Sequence, residues 1–312
     1  MSLSLSLANT IGAMFIMIGV GFILIKKNVC TMKESRLLSQ LVLYVGTPCA
    51  IINSFQIELT DSTLKGFLFA IVAAIVIHIV FIIFTTILGK VFKFNAIERM
   101  SMMYPNCGNL IIPLVTIVLG AEMVLYNSGY MIIQTILLWT HCKFVISEEK
   151  EFDIKKIILN INILAILLGS ILFIFQIKLP TLVYTATSMM SGLLAPLSMF
   201  VVGMLLAEMD LVEAFKNVRV YLVCFFRLIV MPIMILLIIK LTGVAFLVEN
   251  GRSILMISML AASAPSASTV AQFAQLYYNN EFEAAQINGM SVLLCIITMP
   301  LINMLYSMMM GM

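Results

Sequence analysis

The sequence predicts an all-α membrane protein that crosses the bilayer many times, and three observations support this fold class. Of the 312 residues, 62% are hydrophobic and only 11% are charged, a balance typical of polytopic membrane proteins rather than of water-soluble domains. The apolar residues form ten segments, each near the ~20 residues that a bilayer core requires. Basic residues are concentrated in alternate connections between these segments, as membrane topology demands.

The ten apolar segments are the predicted transmembrane helices. In chain order their limits are 7–25, 37–55, 65–89, 99–119, 122–142, 157–176, 181–207, 217–239, 253–276 and 284–307. The basic pair Lys26-Lys27 follows the first apolar run instead of preceding it. We therefore expect a retained first helix rather than a signal peptide.

The distribution of basic residues predicts the orientation of the chain. Thirteen of them lie in the first, third, fifth and seventh connections: Lys26, Lys27, Lys33, Arg36, Lys90, Lys93, Arg99, Lys143, Lys150, Lys155, Lys156, Lys216 and Arg219. The opposite side carries only four: Lys65, Lys178, Lys240 and Arg252. Because basic loops stay in the cytoplasm, both termini should lie outside and the loop 143–156 inside.

An odd number of spans in each half predicts that the two halves are inverted relative to each other. Residues 1–142 hold the first five spans, 143–156 form a short cytoplasmic loop, and 157–312 hold the second five. Prolines recur at matching places, since Pro48 is echoed by Pro196 and Pro105 by Pro265. Inverted repeats of this kind are a common architecture of secondary transporters.

Proline interrupts the fourth and ninth spans where a continuous helix is otherwise expected. Because proline lacks a backbone donor and clashes with the preceding turn, both helices should break near mid-membrane. Broken backbone at that depth persists only where protein buries it or where it lines a wet cavity, and two such breaks in matching positions indicate a binding site. The candidate site residues at the breaks are Pro105, Asn106, Cys107, Gly108, Asn109, Ala264, Pro265 and Ser266. The alternative is that both prolines are simple kinks.

Arg227 is the one charged residue well inside a predicted span. It either reaches the cytoplasmic interface or caps backbone carbonyls, or it attracts an anionic substrate. No acidic residue lies deep within any span, which argues against the intramembrane carboxylate that most proton and sodium relays use. His78 is expected to be a hydrogen-bonded packing residue or a proton carrier, and His141 to face the cytoplasmic interface.

The fifth span carries further polar residues, which are candidates for lining a cavity: Asn127, Tyr130 and Gln134. Several classes of function lack support in the sequence. The six cysteines are scattered singly, so neither a disulfide framework nor a metal site is predicted. No nucleotide-binding or metalloprotease motif is present, and we expect no cofactor, no enzymatic activity and no nucleic-acid partner.

The order of these motifs resembles the auxin efflux carrier family, which includes plant auxin carriers and bacterial permeases for small dicarboxylates. The resemblance rests on Gly19-Val20-Gly21 before Lys26-Lys27, on the segment ending at Pro48, on Pro105-Asn106 with Ile112-Pro113, and on Ala264-Pro265 with Met299-Pro300. It implies ten helices in two inverted five-helix repeats, with broken, crossed helices four and nine. It also implies that spans one, two, six and seven form a scaffold, which often mediates homodimerisation, and that the other spans form a moving transport domain. A carboxylate of the substrate would bind near Asn106 and Pro265.

The short loop 143–156 departs from the long loop of the plant members and is similar to that of a bacterial permease in the cytoplasmic (inner) membrane. The resulting prediction is a secondary transporter of a small organic anion such as a mono- or dicarboxylate, with a coupling proton, sodium or neither. A membrane-embedded ligand sensor and a passive channel are the alternatives.

Overall fold

The structure, a computed structural model, describes residues 3–108, 110–147, 158–208, 216–277 and 280–311. These residues form helices and connections, with no named strand and one isolated bridge between Pro105 and Ser266. Asn109, one of the candidate site residues, lies outside the described residues.

Sixteen α-helices are described, and three of the boundaries between them are single π-helical turns. The helices are α1 (Leu3–Lys26), α2 (Met32–Leu41), α3 (Thr47–Ser54), α4 (Asp61–Phe92), α5 (Ala96–Met103), α6 (Ile111–Val118), α7 (Val124–Leu137), α8 (Lys143–Ser147), α9 (Ile161–Ile174), α10 (Thr181–Gly192), α11 (Leu194–Glu208), α12 (Val218–Phe225), α13 (Met231–Thr242), α14 (Gly251–Ser263), α15 (Ser268–Leu276) and α16 (Glu281–Met310). The π-helical turns are Val42–Gly46, Leu138–Cys142 and Phe226–Val230.

Six helical stretches are long and apolar enough to cross a membrane: Lys33–Ser54, Asp61–Phe92, Ala121–Ser147, Thr181–Met204, Val218–Thr242 and Phe282–Met310. Shorter apolar helices are Ile16–Lys26, Ile161–Ile174 and Gly251–Ser263. Each of the ten apolar segments of the sequence contains helix. The chain is therefore an all-helical, multi-pass membrane protein.

Polar residues in the connections set where the helices begin. Thr31, Thr60 and Asn95 are N-caps whose side chains accept hydrogen bonds from backbone N–H groups of the first turn of α2, α4 and α5. Each cap belongs to a reciprocal capping box, which satisfies donors that no preceding turn can pair. These caps place the connections between apolar runs, so that each run begins as a new helix.

Proline accounts for the two breaks and for two of the π-helical turns. Tyr104 and Ala264, which precede Pro105 and Pro265, have extended backbone, as the ring of a following proline favours. The turn Val42–Gly46 lies just before Pro48, and the turn Phe226–Val230 just before Pro232. A proline cannot donate to the carbonyl four residues earlier, so the helix widens or stops there.

The helices pack in two groups. The peripheral group consists of α1–α3 and α9–α11, and its members contact one another through α1 with α11, α3 with α9 and α10, and α2 with α11. At the crossing of α1 and α11, a Cβ atom on Gly21 would overlap the carbonyl of Phe200, and one on Gly203 would overlap that of Ile18. Glycine is therefore what lets these two backbones touch.

The crossover group consists of α4–α8 and α12–α16. Within it, α4 packs on α7 and α14, and α16 packs on α12, α14 and α15. The two groups meet where α1 contacts α6 and α16, and where α3 and α9 contact α7. The peripheral group contains the spans that the family resemblance assigns to a scaffold, and the crossover group contains the others. That the two groups have these roles stays a prediction.

Candidate functional site

The two broken segments cross and are joined through their backbones. The N–H of Asn106 donates to the carbonyl of Pro265 at 2.8 Å, and the N–H of Ala267 donates to the carbonyl of Tyr104 at 2.8 Å. This antiparallel bridge pairs backbone groups that the breaks remove from the helical ladder. Pro105, Asn106, Pro265 and Ser266 therefore lie at one point, which we call the crossover.

Amide side chains of α7 hold the first broken segment in place. Gln134 donates from Nε2 to the carbonyl of Pro105 at 2.5 Å, and Asn127 donates from Nδ2 to the carbonyl of Cys107 at 3.0 Å. Both amides are buried. A buried carbonyl without a donor is costly, so these two residues stabilise the extended backbone of residues 105–107.

The helix α16 performs the same task for the second broken segment. The N–H of Ser266 donates to Oγ of Ser291 at 3.0 Å, and Nδ2 of Asn288 donates to the carbonyl of Ser266 at 2.7 Å. The hydroxyl of Ser291 in turn donates to the carbonyl of Asn288 at 2.7 Å. The side chains of α7 and α16 that stabilise the two broken segments are thus neutral and bring no charge into the membrane.

Arg227 lies against the crossover from the π-helical turn between α12 and α13. Its Nη2 donates to the carbonyl of Ala264, the residue before Pro265, at 2.8 Å. The side chain is only 1% exposed, and its Nε and Nη1 have no hydrogen-bond partner in the described protein. The guanidinium thus places a positive charge one peptide away from the point where the segments cross.

An aromatic ring lies near this guanidinium, and a tyrosine and two cysteines are within its electrostatic range. Its carbon lies 5.7 Å from the ring centroid of Phe81, and its charge reaches Tyr130, Cys107 and Cys295. His78 also lies within electrostatic range. Among the described residues, none of the groups that interact electrostatically with Arg227 is a carboxylate, so this part of the chain supplies no counter-charge there.

His78 and Tyr130 pack against each other beside Arg227, with ring centroids 4.8 Å apart. His78 bonds through Nδ1 to the carbonyl of Ala74 at 2.7 Å, while His78 Nε2 and the Tyr130 hydroxyl have no partner in the described protein. These two atoms, together with Nε and Nη1 of Arg227, can still form hydrogen bonds on the buried side of the crossover.

The other face of the crossover is more open. The side chains of Asn106, Ser268 and Thr269 are partly exposed, and no described residue hydrogen-bonds to them. The helices α6 and α15 both start at the crossover. In α6 the N–H of Ile112 already donates to the carbonyl of Gly108, and Pro113 has no N–H. In α15 the N–H groups of Ser268 and Thr269 have no backbone acceptor among the described residues, and such a helix N-terminus favours anions.

The structure brings together most of the site residues that the sequence singles out. Ala264, Pro265, Ser266, Pro105, Asn106 and Arg227 meet through the bonds described above, and Cys107 and Gly108 continue the same segment towards α6. Arg227 is buried and donates to the backbone carbonyl of Ala264, as expected if it caps a carbonyl. That it also attracts an anionic substrate stays a prediction. That these residues bind a substrate stays a prediction.

Two anchoring residues on the last helix, Asn288 and Ser291, are not among the candidates from the sequence. Gln134 and Asn127 are among the sequence candidates as residues that line a cavity. The structure instead shows both bonded to backbone carbonyls. His141 is half-buried, and its Nδ1 lies 2.9 Å from the hydroxyl of Tyr104. No proline or charge marks these positions, so only the crossing of distant helices reveals their contacts.

Ionic groups are concentrated elsewhere. The guanidinium of Arg219 pairs with the fully buried carboxylate of Glu98 at 2.6 Å, and the amide of Asn95 donates to Glu283 at 2.8 Å. This cluster ties the starts of α5, α12 and α16 together, away from the crossover. In the described part of the chain, no three His, Cys, Asp or Glu residues are placed to hold a metal ion.

Comparison with known proteins agrees with this geometry. No curated protein matches the chain. A family model described as "Membrane transport protein" matches residues 8–303, which is nearly the whole sequence, and the family is one of transporters rather than of enzymes. The chain belongs to the membrane transport protein family, which is the auxin efflux carrier family.

Proposed function

We propose that this protein is a secondary transporter that moves a small organic anion, a mono- or dicarboxylate, by alternating access at the crossover. In this proposal the chain crosses the cytoplasmic membrane ten times, as two inverted five-helix repeats in residues 1–142 and 157–312. Both termini lie outside, and the loop 143–156 lies in the cytoplasm.

The observation that carries the proposal is the position of Arg227. A fully buried guanidinium without a carboxylate partner is costly in a medium of low dielectric constant, and it lies one peptide from the crossed segments. An anion bound at the crossover lowers that cost, whereas a bound cation raises it. The same charge therefore favours an anionic substrate over a cationic one.

Binding uses the open face of the crossover. The amide of Asn106 and the hydroxyls of Ser268 and Thr269 offer hydrogen-bond donors on that face. The first two N–H groups of α15 add one helix N-terminus, which favours an anion. A carboxylate accepts several such bonds at once. Neutral donors plus one fixed charge form a site for a small carboxylate without an intramembrane acid.

The proposed movement of the site is a shift of one group of helices against the other. The crossover and Arg227 belong entirely to the crossover group, which contacts the peripheral group along α6, α7 and α16. We propose that the crossover group shifts against the peripheral group and carries the site from one side of the membrane to the other. Alternating access of this kind is typical of inverted-repeat transporters.

Substrate counterflow in proteoliposomes tests the proposal. The purified protein is reconstituted, and uptake of radiolabelled lactate, pyruvate, malate or malonate is measured into vesicles that contain the same unlabelled acid. We expect saturable uptake of at least one acid. Saturable binding without flux would favour a ligand sensor, and a current that does not saturate would favour a channel.

Asn106→Ala gives the matching test of the site. Removing the amide takes away a donor that faces the open side of the crossover. We expect uptake to fall about tenfold or more, because each lost 1.4 kcal/mol of binding free energy is a factor of ten. Expression of the variant should be unchanged. Asn162→Ala is the control, because Asn162 is a partly exposed amide on α9 in the peripheral group. Wild-type uptake by Asn106→Ala would contradict a substrate site at the crossover.

A further inference from the structure

Arg227 brings a net charge into the part of the protein that is proposed to move. Its side chain is 1% exposed, and it interacts with the Ala264 carbonyl and the Phe81 ring. The described groups in electrostatic reach are Tyr130, Cys107, Cys295 and His78. The phenol and the two thiols are neutral when protonated, and an imidazole carries no negative charge in its neutral or its protonated form. Arginine remains charged in proteins, so the empty site carries one uncompensated positive charge.

Because of this charge, the empty site and the loaded site differ in net charge. That difference affects how easily each crosses the centre of the membrane. An isolated charge is least stable at the centre of the bilayer, where neither water nor lipid head groups are near. It also moves through the electric field of the membrane, so its displacement depends on voltage. A single negative charge bound at the crossover makes the loaded site neutral and removes both effects.

A co-transported cation would have the opposite consequence. Sodium or a proton bound beside Arg227 would add a second positive charge at a place where no described carboxylate lies. The intramembrane Asp or Glu that usually binds such ions is missing from the predicted spans. The arrangement therefore favours an anion as the only ion that moves with the site.

We infer that the transporter is an exchanger of small monoanions, in which Arg227 makes the return of the empty site slow and the return of a loaded site fast. This inference rests on the proposed function and adds the mode of transport and the charge of the substrate. Monocarboxylates leave the loaded site neutral, whereas a dianion leaves it with a net negative charge. Monocarboxylates should accordingly exchange faster than fully ionised dicarboxylates.

The test compares uptake into vesicles with and without internal substrate. Purified protein in sodium-free proteoliposomes takes up radiolabelled lactate or pyruvate, and malate or malonate serve as dianions at neutral pH. We expect the internal unlabelled monocarboxylate to stimulate uptake about tenfold or more, which corresponds to a barrier difference of about 1.4 kcal/mol. Equal uptake into loaded and empty vesicles would overturn the exchange inference and leave the proposed function intact. Absence of flux for every acid in both arms would contradict the proposed function itself.

Two substitutions separate the charge from the shape of Arg227. In Arg227→Gln the empty site is neutral, so the ratio of exchange to net uptake should fall towards one, whatever the absolute rate. In Arg227→Lys the charge remains and the ratio should stay high, although the planar guanidinium is lost. A ratio of exchange to net uptake that stays high in Arg227→Gln would overturn the role that we assign to Arg227.

An imposed voltage provides a readout on the wild-type protein alone. A potassium gradient with valinomycin sets the membrane potential of the proteoliposomes. Exchange of lactate for lactate should not respond to the potential, because a neutral loaded site moves no net charge. Net lactate uptake should respond, and exchange that depends on voltage as strongly as net uptake would contradict the inference.

Discussion

At the scale of single residues, amides stabilise the crossover where a soluble protein would use water. Gln134 and Asn127 donate to the carbonyls of Pro105 and Cys107, and Asn288 donates to that of Ser266. In lipid, each freed backbone group must find a partner inside the protein. A neutral amide provides that partner without the cost of a buried charge.

Gln134→Leu should therefore destabilise the protein. The substitution leaves the buried carbonyl of Pro105 without its side-chain donor, and we expect a loss of about 1–3 kcal/mol, seen as a lower Tm in detergent. Asn303→Leu is the matched control, because Asn303 is also a buried amide. Its side chain donates to the carbonyl of Met299 in its own helix, which the helical ladder already satisfies, and no other partner is found among the described residues. An equal fall of the Tm in both variants would show that Gln134 has no special role.

At the scale of elements, the two breaks depend on proline, and a third proline shows that proline alone is insufficient. Pro300 lies inside α16, which continues from Glu281 to Met310. Pro105 and Pro265 instead lie in extended backbone, where each segment exchanges hydrogen bonds with the other. The crossing stabilises each break, so neither broken helix is expected to keep its geometry without the other.

Pro265→Ala should reduce transport much more than Pro300→Ala. Alanine supplies an N–H and a strong helix propensity, which favour a continuous helix through α14 and α15 over the bridge to residues 104–106. We expect uptake by Pro265→Ala to fall about tenfold or more, for a shift of about 1.4 kcal/mol or more towards the continuous helix. Pro300→Ala should keep most of its uptake. Unchanged uptake in Pro265→Ala would mean that the break is not required.

The sequence suffices to predict the helical class, the approximate limits of the apolar segments and both breaks, because hydropathy and proline act locally. It does not predict that Gln134 bonds to Pro105 or that Asn288 bonds to Ser266, because those contacts depend on which helices cross. Arg227 illustrates the same limit. Its presence within a span is visible in the sequence, but neither the π-helical turn in which it lies nor its bond to Ala264 is.

At the scale of the whole molecule, charge and packing distinguish the two groups of helices. The peripheral group packs through glycines at the crossing of α1 and α11, whereas the crossover group holds the broken segments and Arg227. The ion pair of Arg219 with Glu98 joins helices within the crossover group. In the proposed mechanism, interactions of this kind keep the crossover group together as one unit while it shifts against the peripheral group.

The central claim is that the crossover beside Arg227 binds a carboxylate, and a thermal-shift titration of the purified protein tests it most directly. Monocarboxylates and dicarboxylates are titrated with and without sodium, into the wild type and into Asn106→Ala. A ligand at a hundred times its Kd stabilises the folded state by about 2.7 kcal/mol, so at least one acid should raise the Tm of the wild type saturably and without sodium. The same concentration should raise the Tm of Asn106→Ala clearly less, since a tenfold weaker Kd leaves about 1.4 kcal/mol. A Tm that no carboxylate raises, or one that rises equally in Asn106→Ala, would contradict the account.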